Sequence, residues 1–157
     1  IKLVMQSAIN MKADFQGMLK DTYVSGPNGK LQIGYDIAEK SFEKLRNLTA
    51  KDSSDFLVIN LSDPYQVDEN WITGTELKYE VELDPIKPNK IIKGICRELE
   101  IAYYDMYPNA KTYIEENDLT FPYFSQTCDR HPSPMGHEYM ANDIYQFLNK
   151  NNYLKPQ

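Results

Sequence analysis

Phe56-Leu57-Val58-Ile59-Asn60-Leu61 is a short, unbroken apolar run rich in branched side chains. A strand with one wet face alternates apolar and polar residues. This run does not, so it predicts a strand covered on both faces, as in a parallel sheet. Downstream, Ile101-Ala102-Tyr103-Tyr104 reads as a second strand, closed by Asp105 and Pro108. Helical stripes lie around these two. Ile37, Phe42, Leu45 and Leu48 predict a helix near 37–50 that stops at Lys51-Asp52-Ser53-Ser54. Ile91, Ile92, Ile95, Cys96 and Leu99 predict another near 91–99, and a short one is expected over 109–117. The last, near 134–149, should turn Met140, Ala141, Ile144, Phe147 and Leu148 inward. Helix–strand alternation of this kind argues an α/β fold with a mostly parallel sheet.

The flanks are less defined. Ile1, Leu3, Val4, Ala8, Ile9 and Met11 suggest a helix over 1–20, and Ser25-Gly26-Pro27-Asn28-Gly29 marks a turn within a loop over 21–36. Residues 63–90, with Pro64, Pro85 and Pro88, read as polar loops decorating an edge. Repeats and low-complexity tracts are absent from the sequence.

At 157 residues the chain fits a single domain, 1–157. With 17 basic and 23 acidic side chains the net charge is −6, and no Lys/Arg cluster offsets it, which argues against a nucleic-acid surface. No apolar run approaches the ~20 residues a membrane span needs. The first residue is Ile1 rather than Met, as expected of a chain trimmed or cut from something longer. Secreted, periplasmic and cytoplasmic locations therefore stay open. Cys96 and Cys128 are too few for a disulfide scaffold, and each is expected to be a small buried hydrophobe. Asn47-Leu48-Thr49 and Asn60-Leu61-Ser62 match the glycosylation triplet, the second within the expected strand.

The densest chemistry lies in Asp129-Arg130-His131-Pro132-Ser133-Pro134-Met135-Gly136-His137. A carboxylate two residues from an imidazole can fix its tautomer and stabilise the imidazolium, leaving the other nitrogen free to deprotonate a hydroxyl. Ser133 is suited to cap the following helix, and Pro134 to its first turn, where a missing N–H costs nothing. In layered α/β folds functional groups gather beyond the carboxyl ends of strands, where this loop is expected. The plainer alternative is a capping Asp and a surface His in a Pro-rich loop. His137 would complete an Asp129/His131/His137 metal site only with a further ligand, so packing or support of the pair is the favoured role for it and for Ser133. Tyr103, Tyr104, Tyr107, Tyr113 and Tyr123 suit a sugar groove but more simply a half-buried core. Glu115-Glu116-Asn117-Asp118 is a solvated helix end. Cys128, beside Asp129, points away from it in an extended segment and is not expected to act as a nucleophile.

This block resembles the last block of the SGNH (GDSL-like) hydrolase superfamily: Asp129, His131, Pro132, Gly136-His137 and the small Ala141 in the helix that follows. Phe56–Pro64 and Ile95–Ile101 with Asp105 look like the preceding steps, so the resemblance spans roughly 37–150. It implies a partial three-layer α/β/α, flavodoxin-like domain. It also implies ester hydrolysis or acyl transfer of the lipase, esterase or carbohydrate acetyl-esterase type, without a cofactor or metal, on a small-molecule or carbohydrate ester. His131 would be the base and Asp129 its orienting partner. Many members space the pair Asp-x-x-His; here it is Asp-x-His. The family's Gly-Asp-Ser nucleophile block and its oxyanion Gly and Asn blocks have no counterpart, since Met5-Gln6-Ser7 is not that block. The resemblance therefore implies the C-terminal part of a larger domain, inert alone, whose partner is the missing N-terminal half or another copy. A non-catalytic binding or structural domain of the same fold is the alternative, and a metal-dependent enzyme the weaker one.

Overall fold

The computed structural model describes residues 20–26, 28–117, 119 and 132–154. The expected helix over 1–20 and the segment Phe121–Phe124 lie outside them, except that residues 20–23 are helical. The described elements, in order, are α1 (Gly29–Lys51), β1 (Leu57–Asn60), α2 (Pro64–Val67), α3 (Glu69–Tyr79), α4 (Lys87–Glu98), β2 (Ala102–Asp105), α5 (Tyr107–Glu116) and α6 (Pro134–Lys150). The chain is thus mixed α/β. As expected, the two strands pair in parallel, with Leu57 opposite Ala102 and Asn60 opposite Asp105. Among the described residues the sheet holds these two strands.

The segment read as loops over 63–90 is largely helical instead. Asp63 opens α2 with a reciprocal cap: its carboxylate accepts from the Tyr65 amide at 2.9 Å, while the Gln66 side chain accepts from the Asp63 amide at 2.8 Å. Asp68 caps α3 in one direction only, its carboxylate accepting from the Trp71 amide at 3.1 Å. These caps define the helices where periodicity could not, because α3 has no continuous apolar face. Trp71 packs on Tyr65 and Tyr23, whereas Leu77 points to solvent. Prolines read as loop signals lie in first turns: Pro64 in α2, Pro88 in α4, Pro108 in α5, as well as Pro134 in α6. That moves the starts of α4 and α5 forward to Lys87 and Tyr107.

Helix α1 also starts early, at Gly29. The Asn28 side chain accepts from the Leu31 amide, and its carbonyl from Gln32, so the turn cluster ends in a helix start. The stripe expected to face the core is not the buried one. Ile37, Leu45 and Leu48 are exposed; Phe42 is half-buried as expected, but together with Tyr35, Ala38 and Arg46, which share its face. Phe42 meets Phe56 edge-on, and the Arg46 guanidinium donates to the Leu99 carbonyl at 2.8 Å. Ala141, expected inward, is exposed as well. The core centres on Met106 and Met140, with Ile59, Tyr104, Ile114, Tyr139 and Ile144 packed against them. A short antiparallel bridge, Val24 with Leu83, and the Lys87 ammonium on the carbonyls of Val24 and Gly26 tie the first described segment to the crossover.

Candidate functional site at the carboxyl end of the sheet

The direction of α6 follows from what each strand residue meets. Tyr104, within β2, stacks on Phe147 with ring centroids 4.0 Å apart, and its hydroxyl donates to Asp143 at 2.7 Å. Met106, just past the end of β2, packs with Met140, a turn nearer the start of α6. Moving toward the carboxyl end of β2 thus moves toward the amino end of α6. The helix runs antiparallel to the strand, and Ser133 lies beyond the carboxyl end of the sheet. Ser133 caps α6, its Oγ accepting from the Gly136 amide at 3.2 Å. The link is reinforced from α5, where Asn109 donates to the Tyr104 hydroxyl and to Asp143.

At the same end sits a polar network to which the sequence reading gave no role. Gln66 Nε2 donates to Asn89 Oδ1 at 2.7 Å and to the Pro85 carbonyl, also at 2.7 Å. Asn89 Nδ2 donates to Asp105 Oδ1 at 2.7 Å, which also accepts from the Tyr107 amide. Gln66 and Asn89 are buried, as is Ser62, whose Oγ has no hydrogen-bond partner among the described residues. Burial, followed by the Asp105 charge, pushes the Tyr103 phenol pKa far up. The network joins α2, the first turn of α4 and the carboxyl end of β2, so it holds the sheet end against the helices that follow each strand. It was legible in one respect only: Asn60-Leu61-Ser62-Asp63 turns polar where the apolar run stops.

Of the residues singled out from the sequence, Asp129, His131, Cys128, Tyr123 and Ser7 lie outside the described residues, and with them the Asp129–His131 hydrogen bond. His137 is exposed in the first turn of α6, its amide donating to the Ser133 carbonyl. Tyr103, Tyr104, Tyr107 and Tyr113 are half-buried. Tyr113 stacks on Tyr139 at 4.3 Å, binding α5 to α6, which is a packing role. Cys96 is free and fully buried, and burial raises its thiol pKa. Glu115, Glu116 and Asn117 are exposed. Among the described residues no group of three or more His, Cys, Asp or Glu could hold a metal, and no helix is long and apolar enough to cross a membrane.

The Tyr104 phenol pKa is pushed up to about 12, first by burial and then by its hydrogen bond to the Asp143 carboxylate. A value above the ordinary one means that the fold favours the neutral phenol. Its contribution is full below pH ~10 and is lost as pH rises through about 12. Absorbance titration at 295 nm should therefore show one fewer late-ionising tyrosine in a Tyr104→Phe variant than in the parent. Identical titration curves above pH ~10 would contradict the geometry.

No protein-family profile, curated protein or solved structure matches this chain.

Proposed function

We propose that Asp129 and His131 form the base pair of a serine ester hydrolase or acyl-transfer enzyme of the SGNH type, on a partial three-layer α/β/α domain. The observation that carries this reading is the placement of the capped start of α6 beyond the carboxyl end of a parallel strand pair. His131 precedes the capping Ser133 by two residues and Asp129 by four. That is where side chains of an open parallel sheet meet a ligand.

In this mechanism a serine oxygen attacks the ester carbonyl while His131 takes its proton. The tetrahedral intermediate collapses as His131 returns that proton to the leaving alcohol. Water or a second alcohol then releases the acyl group by the same exchange, and Asp129 holds the imidazole in the productive tautomer throughout. The chain supplies no recognised nucleophile block, so the serine comes from a segment bearing a Gly-Asp-Ser-like block, in cis or in trans. The same gap favours the second reading, a binding or structural domain that keeps the fold without the chemistry.

A fluorophosphonate serine probe separates the two. The 157-residue chain should not label. Protein that also contains the nucleophile segment should label, and should lose labelling in His131→Ala. Labelling that survives His131→Ala overturns the base assignment. Stoichiometric modification of Ser7, or of any other serine in the chain, overturns the assignment of the nucleophile to another segment. No labelling in any form of the protein leaves the binding domain as the correct reading.

A further inference from the structure

Helices α1 and α4 run side by side in the same direction. The Arg46 guanidinium, late in α1, reaches the Leu99 carbonyl at the end of α4, while Leu31 and Tyr35, early in α1, share a cavity with Lys87 and Ile91 early in α4. Asn89, in the first turn of α4, is held to Asp105 at the carboxyl end of β2. The cavity therefore lies toward the carboxyl end of the sheet, where ligands of open α/β folds bind.

Its volume is about 410 Å³, within the roughly 300–1,000 Å³ range of small-molecule sites. Leu31, Ile91 and the Tyr35 ring supply apolar wall, and Ser25, Asn28 and Lys87 supply polar groups. Every residue lining it is among the described ones.

Two of these side chains have polar groups that the chain leaves incompletely matched. Lys87 is half-buried, and its ammonium donates to the carbonyls of Val24 at 2.7 Å and Gly26 at 2.6 Å. These neutral acceptors use two of its three donors and do not compensate the charge. Among the described residues no carboxylate pairs with it. Asp84, the acidic residue nearest to it in sequence, is taken by Lys90 at 2.7 Å. A cation partly withdrawn from water favours an anionic partner. Tyr35 is half-buried too, and burial alone pushes its phenol pKa up, with no hydrogen bond contributing. A purely structural Lys87, tying the first described segment to the crossover, explains two of its donors. It explains neither the third nor the cavity beside it.

We infer that this cavity binds a small carboxylate with an apolar body, its anionic head on the Lys87 ammonium and its hydrocarbon part against Leu31, Tyr35 and Ile91. No residue of α6 lines the cavity, so the inference stands or falls independently of Asp129 and His131.

Sodium hexanoate added to the isotope-labelled 157-residue chain should shift the amide resonances of Ser25, Gly26, Gly29 and Gln32 saturably, with a dissociation constant of roughly 1 mM. Hexanol, which has the same body without the charge, should bind about tenfold more weakly. Hexylammonium should not shift these amides saturably. Lys87→Gln keeps a donor for the two carbonyls and should weaken hexanoate about tenfold, whereas Tyr35→Phe, which removes one hydroxyl, should weaken it about threefold. Both variants should keep the far-ultraviolet spectrum of the parent. Should Lys87→Gln fail to fold, the three probes on the parent chain decide. Equal affinity for hexanoate and hexylammonium overturns the inference, as does undiminished hexanoate binding in a folded Lys87→Gln. Absence of saturable shifts up to ~20 mM hexanoate overturns it as well, and leaves Lys87 as a structural clamp.

Discussion

Asn89→Asp should destabilise the chain by about 3 kcal/mol or more at neutral pH, and by clearly less in mild acid. Asn89 is 3% exposed, and its amide nitrogen is the donor that Asp105 receives at 2.7 Å. An aspartate there keeps an acceptor for Gln66 but turns the group facing Asp105 into a second carboxylate. Two carboxylates at that distance cannot both ionise in a buried site, so one is held protonated well above its ordinary range. A carboxyl whose pKa is raised in the folded state stabilises the fold below its ordinary value near ~4 and loses that contribution as pH rises through the raised one. Urea midpoints at about pH 5 and pH 8 should therefore diverge for Asn89→Asp and move together for Asn89→Ala, which loses the donor without adding charge. A pH-independent loss in Asn89→Asp would mean that Asp105 is not its neighbour in solution.

Met106→Ala is the second large effect. Met106 is 1% exposed and, with Met140, forms the centre on which Ile59, Tyr104, Ile114, Tyr139 and Ile144 pack. Removing the side chain loses its transfer energy and opens a cavity that β2, α5 and α6 cannot collapse around independently. The cost should be roughly 2–5 kcal/mol, a large share of the ~5–15 kcal/mol typical of a domain. Met106→Leu, which conserves volume, should cost less than about 1.5 kcal/mol. Because Met106 sets where α6 starts relative to β2, the alanine variant should also increase hydrogen exchange at the Gly136 amide, which Ser133 caps. Equal denaturation midpoints for the two variants would place the core elsewhere.

Both strands were legible because an unbroken run of branched residues has few other uses in a chain of this length. Leu57-Val58-Ile59 leaves no polar face to point outward. The ends of the helices were less legible. The sequence reading weighted apolar periodicity, whereas α2 and α3 are defined by Asp63, Asp68 and their amide partners, which carry no periodic signal. Proline ends a helix only when it falls in the interior; Pro88 and Pro108 each occupy a first turn, where no amide hydrogen is missed.

By itself the sequence determined the mixed α/β class of fold, the parallel pairing of two short strands and the cap at Ser133. These follow from local chemistry: side-chain shape, backbone donors and spacing within a few residues. Tertiary structure alone decided which face of α1 is buried, that Asn89 bridges Gln66 and Asp105, and that α6 runs back along β2 so that its capped end lies at the carboxyl edge. Each of these is a contact between residues far apart in the chain, and an amphipathic stripe states only that something apolar covers it. On α1 the covered side is the one that meets Phe56 and Leu99, and the apolar stripe beside it is exposed among the described residues.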